Sequence, residues 1–441
     1  MPGSEPVYRP GYAPDNVAVG YRGLGTRRRI LECAGRLFVA RGYHGTSIDA
    51  IAEEVGSSRA AIYQYFHSKD DIFGELYRQC EPDVLAHGRR LGRLAPDADG
   101  LRNLHQWLLE WADMYDRYAM VFLELPGIGP VEGSPQIDAG RISVEYAATI
   151  SAKLHDAGVC GIEPDDAADV LIRIVHMVNL YRFRAMFGLC SSTRTSASLA
   201  IALQLLLFPE TPDEVLETVA APPMPDAGPR TAPEVTDAVV AQADPGAGPP
   251  VRQEILVAAS ALFFAHGYHS TSMRDIAAAA DTSRATLYRY FSTKVAILAE
   301  LSDQAIAKGR SLADELRALA HTGIGAESLQ DWLTRFVTFQ RAYAGVTRTW
   351  YDGTLAQQLP VDRYRAGNES FHRATVTLVE RVQLPAGLDM TVSAAVFLAV
   401  LGRLTDLSLS HHPERNDADT AALMMTVLRR TLLRAAFTPP G

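Results

Sequence analysis

Guanidinium, ammonium, hydroxyl and phenol groups occur twice along this 441-residue chain at one fixed spacing. Thr46, Ser47, Ser58, Arg59, Tyr63, Tyr65 and Lys69 return 225 positions later as Thr271, Ser272, Ser283, Arg284, Tyr288, Tyr290 and Lys294. Groups of this kind donate hydrogen bonds and positive charge, which suits the binding of phosphates and base edges rather than the breaking of bonds. Catalytic patterns are missing. There is no HExxH, no GxSxG and no phosphate-cradling glycine loop, and His411-His412 has no metal-spaced partner set. The sequence predicts no enzyme, no metal and no cofactor.

These residues belong to a longer repeat. Residues 30–76 align without a gap with residues 255–301, and 23 of the 47 positions are identical, clustered in GYHxTS, IA, SRA and YxYFxxK. A period of 225 residues is too long for a solenoid and has the length of a whole two-part protein, so the chain reads as two units joined head to tail.

The elements that must position the repeated residues are short helices. Leu31, Ala34, Leu37, Phe38 and Arg41 mark an amphipathic helix that Gly42 ends. Thr46 or Ser47 caps a second helix with Ile48, Ile51, Ala52 and Val55 inward, and Gly56 turns the chain. Ser57 or Ser58 caps a third, with Ala60, Ile62 and Phe66 inward; Ser68 caps a fourth, and Asp71 completes a capping-box pattern. The second copy follows with Gly267, Ser272, Asp281 in the turn, Ser283 and Thr293. An eight-residue helix, a tight turn and a second short helix is the geometry of helix-turn-helix readers, whose second helix enters the major groove.

The string TSxxxIAxxxGxSRAxxYxYFxSK resembles the N-terminal DNA-binding domain of the TetR family of transcriptional repressors, over about fifty residues in each half. The resemblance implies jobs for particular residues. Thr46 and Ser47, with Thr271 and Ser272, sit at a helix N-terminus that can hold a phosphate. Arg59 and Arg284 open the recognition helix behind the capping Ser58 and Ser283, and reach phosphate or a guanine edge. Ala60 and Ala285 are small where the duplex comes close. Ala61 and Thr286, and Gln64 and Arg289, point towards base edges, while Tyr63, Tyr65, Tyr288 and Tyr290 offer phenols to the backbone. Lys69 and Lys294 start the fourth helix, where charge and helix dipole act together on phosphate. Arg27, Arg28 and Arg29 precede the first helix and reach the backbone or minor groove. Glutamine pairs with adenine, arginine with guanine, and a threonine methyl meets that of thymine. Ala61 with Gln64 should therefore read a different half-site from Thr286 with Arg289.

Net charge is −9, unusual for a nucleic-acid binder until it is divided by segment. Residues 21–80 carry nine bases against seven acids, and residues 251–301 five against four, so the positive balance is local to the two copies. All four cysteines (Cys33, Cys80, Cys160, Cys190) lie in the first half without a CxxC pair, a pattern expected of buried thiols in a reducing cytosol. No apolar run approaches the ~18 residues of a membrane span, and the start has no signal-peptide core. The expectation is a soluble, cytoplasmic protein without a membrane partner.

The expected fold is all-α, in two tandem units, each a three-helix helix-turn-helix domain followed by a helical ligand-binding and dimerisation domain. The boundaries read as a lead-in over 1–20, a first head over 21–68, a first body over 69–208, a Pro/Ala/Gly linker over 209–250, a second head over 251–293 and a second body over 294–437. Body helices are predicted near 69–95, 99–123, 136–158, 165–188 and 193–207, then near 294–320, 326–345, 361–383, 389–410 and 417–436. Trp107, Trp111 and Tyr115 form an aromatic stripe at helical spacing, matched by Trp332, Phe336 and Phe339, and such stripes usually lie in a core. The resemblance also implies a small-molecule effector pocket in this region, to which His176, Arg182 and Trp350 would bring polar groups. It further implies a bundle built from the last two helices of each half. That bundle forms either within one chain, as a pseudo-dimer, or between two chains, and the implied partner of the heads is a double-stranded DNA operator. The alternative is a helical interaction or sensor protein in which one or both copies do not bind DNA.

Overall fold

The computed structural model describes residues 21–123, 139–220, 250–350, 361–412 and 414–437, and no strand occurs among them. The first head consists of α1 (Tyr21–Arg41), α2 (Ile48–Val55) and α3 (Arg59–Tyr63), and the long α4 (Lys69–Arg90) leads from it into the body. The first body continues with α5 (Ala98–Arg117), α6 (Ala119–Phe122), α7 (Ala139–Asp156), α8 (Pro164–Phe183), α9 (Ser192–Leu207) and the single turn α10 (Asp213–Leu216). The second head is α11 (Pro250–His266), α12 (Met273–Ala279) and α13 (Arg284–Tyr290). Its body is α14 (Lys294–Thr322), α15 (Ala326–Thr349), α16 (Val361–Arg381), α17 (Met390–His411) and α18 (Asp417–Arg430).

Local chemistry sets most of these ends. Ser47, Ser58, Ser68, Ser283 and Thr293 each accept a hydrogen bond from the third backbone N–H of the helix they begin. Ser272 and Asp275 form a full capping box, whereas Asp71 reaches past Ser68 to the N–H of His67 at 2.8 Å. Gly56 ends α2 at φ +70°, and the N–H of Ser57 donates to the carbonyl of Ala52. A Cβ at Gly56 would meet nothing within 4 Å, so Gly56→Ala is expected to cost only the left-handed penalty of about 1–2 kcal/mol. Faster amide exchange confined to α2 and α3 would register that cost. A global loss of stability would contradict it.

Several helices end earlier than their apolar periodicity suggests. The 165–188 stretch stops at Phe183, because Ala185 and Phe187 take positive φ (49° and 56°) and a 3-10 turn follows over Met186–Gly188. The 99–123 stretch breaks at Tyr118 (φ −112°, ψ 28°) and resumes as α6, and the last helix ends at Arg430 rather than 436. Ala60, expected inward, is exposed on α3, where Ile62 alone is buried. The start of the expected linker is folded: α10 seats a fully buried Leu216 in the first body. Residues 221–249 lie outside the described residues.

Two helices of each half join the halves. α17 runs along α8 and also touches α9, which meets α18. The seam is apolar and bordered by ion pairs: Arg194 with Asp389 at 2.9 Å, and Arg415 with Asp166 at 2.6 Å. Arg430 crosses it to donate to the carbonyls of Leu206 (2.6 Å) and Leu207 (3.2 Å) at the C-terminal end of α9, where a cation meets the negative end of the helix dipole. Within α17, Met390–Leu409 has a mean hydropathy of 1.6, long and apolar enough to cross a membrane by composition. This corrects the expectation that no run approaches that length. Its hydrophobicity has another cause: 72% of it is buried inside the protein, between α8, α15, α16 and α18.

The cysteines divide. Cys33 and Cys80 are buried, and burial pushes the Cys80 thiol up to about 12, while Cys160 and Cys190 are exposed, against expectation. Both exposed cysteines lie in connections outside the helices, where apolar periodicity carries no information on burial.

Candidate nucleic-acid interface

The two heads present the same side chains from the same scaffold. Beneath α3, Ile30, Ile51, Ile62, Phe66 and Phe73 are buried, and Ile255, Ile276, Leu287 and Phe291 repeat the arrangement beneath α13. Above this floor, Arg59 is exposed and reaches Asp49 (3.2 Å) and the phenol of Tyr63 (3.2 Å), with its guanidinium 5.5 Å from the Tyr63 ring. Ala60, Arg284, Ala285 and Arg289 are exposed; Ala61, Gln64 and Thr286 are half-buried on the same short helices. Tyr288 is 52% exposed, a large ring left in solvent. Tyr63, Tyr65 and Tyr290 instead lean on the core. Ser47, Ser58, Ser272 and Ser283 are exposed caps.

Three expected phosphate contacts are committed elsewhere. Thr46 and Thr271 are buried, and each hydroxyl donates to a carbonyl four residues back, Gly42 and Gly267, at 2.8 Å. Lys69 and Lys294 turn inward. Lys69 Nζ donates to the carbonyls of Tyr43 (2.7 Å) and Thr46 (2.9 Å), over the Tyr43 ring at 4.1 Å. Lys294 Nζ reaches the carbonyls of Tyr268 (2.5 Å), Thr271 (2.6 Å) and His269 (3.3 Å), and burial lowers its pKa. Each ammonium therefore ties the first residue of the long body helix to the loop that precedes α2 or α12. The third set is Arg27, Arg28 and Arg29, which lie within α1 because the helix starts at Tyr21. Arg27 pairs with Glu75 at 3.2 Å and lies over Phe66; Arg29 donates to the carbonyl of Val55 at 2.9 Å; Arg28 faces Glu32. Arg252 repeats the part of Arg27 with Glu300 and Phe291.

No role was expected of His44 and His269, which occupy matching positions in the two GYHxTS strings. Their imidazole rings stack at 3.9 Å, tilted by 19°, so the loops preceding α2 and α12 touch each other. The presence of a histidine at the same position of both copies was the available signal.

The residues expected around an effector pocket separate into two groups. Phe336, Phe339 and Trp350 border a cavity between the second body and the seam. Trp107, Trp111, Tyr115 and Trp332 are buried core. Arg182 is also internal, forming a two-pronged pair with Asp116 (2.5 and 3.2 Å) and bonding Asn179. His176 packs on the rings of Tyr115 and Phe122, and burial drops its pKa to about 3. Missed by the sequence reading were Met177, Tyr181 and Phe187 of the first half, which border the same cavity.

The family profile described as "Bacterial regulatory proteins, tetR family" matches residues 30–76 and 255–301, the two heads. The HTH-type transcriptional repressor AcnR of Corynebacterium efficiens is 31% identical over 199 residues, 44% of this chain and 96% of that protein. The chain belongs to the TetR family of bacterial transcriptional regulators. The negative regulator IcaR of the icaADBC biofilm operon of Staphylococcus epidermidis is 24% identical over 36% of this chain and 84% of its own length. Other relatives match over less of their length, such as AcnR of Corynebacterium glutamicum at 50%. The solved MbdR regulator from Azoarcus sp. CIB is 24% identical, with 41% of this chain and 97% of that one covered at a TM-score of 0.35. TetR-family regulators are non-enzymatic DNA-binding proteins that take DNA operators and small-molecule effectors and act as dimers. This chain is a transcriptional regulator of that family, and it carries the family's head twice.

Proposed function

We propose that one chain is a complete pseudo-dimeric operator reader, a repressor whose two heads bind the arms of one imperfect palindrome and release it on binding a small apolar effector. The observation that supports this reading is the seam of α8 and α9 against α17 and α18, which joins the two halves of one chain, in a family whose regulators act as dimers. The stacked His44 and His269 support it, because they join the heads at equivalent positions. Reading falls to α3 and α13. Arg59, Tyr63 and Gln64 serve one arm, and Arg284, Thr286, Tyr288 and Arg289 the other, with Ser47, Ser58, Ser272 and Ser283 at phosphates. Because Gln64 stands opposite Arg289 and Ala61 opposite Thr286, the arms differ at one or two base pairs. Half-sites one helical turn (~34 Å) apart require fixed head spacing, so an effector that shifts the seam releases the operator.

Selection of bound duplexes from a random pool tests this, using the full chain and the Tyr63→Ala and Tyr288→Ala variants. The expected product is a two-armed, slightly asymmetric site carrying one chain per duplex. Each variant should lose affinity by about tenfold, one mid-sized contact of ~1.4 kcal/mol. Loss in only one variant would mean a single working head. No enrichment at low salt would remove the DNA-reading proposal altogether.

A further inference from the structure

The 225-residue register continues from the heads into the bodies. Trp107 Nε1 donates to the carbonyl of His87 at 3.1 Å, and Trp332 Nε1 to that of Leu312 at 2.9 Å. Arg90 pairs with Glu110 at 2.8 Å, and the matching positions hold the same bridge with its charges exchanged, Glu315 with Arg335 at 2.9 Å. Within this register the two interiors are filled differently.

In the first body Trp111, Tyr115 and Tyr146 are buried, and their rings pack on one another and on Phe122: Tyr115 on Phe122 at 5.0 Å, Trp111 on Phe122 at 5.2 Å and on Tyr146 at 5.8 Å. The matching positions of the second body hold Phe336, Gln340 and Phe371, and Val84 is replaced by Gly309. Each exchange removes bulk. All four smaller residues border the cavity, which is open to solvent on one side. In the first body the larger side chains at these positions, Val84, Trp111, Tyr115 and Tyr146, are themselves buried.

The cavity also has a wall from the other half. Met177 and Tyr181 of α8 reach it, and so does Phe187, at a φ of +56° that non-glycine residues rarely adopt. Phe187 stacks on His372 of the second body at 4.5 Å and meets Tyr181 edge-on at 5.0 Å. Strain of this kind persists where packing holds a side chain in one place, and here it holds a first-half ring against a second-half pocket. The charged lining is Arg403 and Asp406, which pair at 2.7 Å, and Arg403 Nε also lies 3.2 Å from Met177 Sδ. Their charges cancel, so a charged ligand would lose its hydration without a counter-charge in return. Thr347 Oγ1 donates to the carbonyl of Ala344 (3.3 Å) and to Gln340 Oε1 (3.5 Å), and the Gln340 side-chain amide N–H groups border the cavity as donors for a ligand.

We infer that this chain binds one effector rather than two, an uncharged flat aromatic molecule with a hydrogen-bonding group, held in the second body and touched by Phe187 of the first. This rests on the reading of the chain as an effector-controlled regulator. A ligand there meets α17 on one side and α8 on the other, so a single binding event acts on the seam that sets both heads.

The test titrates the full chain with N-phenyl-1-naphthylamine, an uncharged fluorescent aromatic, by calorimetry and fluorescence. One equivalent per chain is expected. The doubly substituted Phe336→Trp, Gln340→Tyr variant, which restores the bulk of the first body, should lose at least tenfold in affinity, and Tyr115→Phe should lose none. The anionic 8-anilino-1-naphthalenesulfonate should bind at least tenfold more weakly than the uncharged probe. Two equivalents per chain, equal loss at Tyr115→Phe, or preference for the anion would overturn the assignment. The wild-type stoichiometry and probe preference stand even if the double variant fails to fold. Operator affinity, followed separately by fluorescence anisotropy, should fall when the probe is bound. One equivalent bound with unchanged operator affinity would uphold the site and overturn effector control.

Discussion

Replacing Lys69 and Lys294 together by methionine is expected to weaken operator binding by about a hundredfold while leaving its salt dependence nearly unchanged. The ammonium of each lysine is spent on backbone carbonyls: those of Tyr43 and Thr46 for Lys69, and those of Tyr268, His269 and Thr271 for Lys294. Methionine keeps the stem but withdraws the donors. Buried carbonyls left without a donor cost about 1–3 kcal/mol per site, and the loop before α2 or α12 loses its tie to the body helix. A recognition helix whose seat shifts loses its contacts together, at about tenfold for every 1.4 kcal/mol. A lysine that held phosphate would behave differently: each loss would lower the slope of log affinity against log salt by about one, with the head as stable as before. Amide exchange should therefore quicken in α2, α3, α12 and α13 of the variant. A reduced salt slope with unchanged exchange would return both lysines to the phosphate backbone.

Acid should destabilise this protein well above the range in which carboxylates titrate. His87 is buried, 2.9 Å from both the Tyr146 phenol and the Trp107 carbonyl, and burial holds its pKa down at about 4. His176 is held lower still, at about 3, by burial and by the nearby guanidinium groups of Arg403 and Arg173. In the unfolded chain both imidazoles protonate near the ordinary ~6.5. Between that value and about 4 the unfolded state binds protons that the folded state refuses, so stability falls as pH falls. It is fully present above ~6.5 and declines by about 1.4 kcal/mol per pH unit for each imidazole. By pH ~4.5 the two together should remove about 5 kcal/mol. Urea unfolding at several pH values should show this decline, and His87→Gln, which cannot titrate, should remove about half of its slope. Stability that is flat between pH ~7 and ~5 would sink the argument.

Much of each head was legible in the sequence because its rules are local. A serine or threonine caps the N–H three residues ahead of it, and Gly56 supplies a positive φ within one turn. These relations span four residues or fewer, so residue type and spacing suffice to state them. The same holds for the inward Ile48, Ile51, Ala52 and Val55, which follow from helical periodicity. Helix ends were less legible where backbone strain or burial intervened, as at Ala185 and Leu216. The candidate site was legible as a set of residues and less so as a set of roles. Arg59, Tyr288 and Arg289 are exposed as expected, but Thr46, Lys69 and Arg27 point to partners inside the head.

By itself the sequence determined the all-helical class, the duplication and the family, since all three are carried by patterns within a few tens of residues that occur twice. Only the tertiary structure decided which lysines turn inside, that His44 meets His269, that α17 is covered by α8, and that the second body keeps a cavity walled in part by the first half. Each of these depends on groups brought together from distant parts of the chain, where a helix meets whatever surface arrives. Sequence spacing specifies the face a helix offers, and packing selects what lies against it.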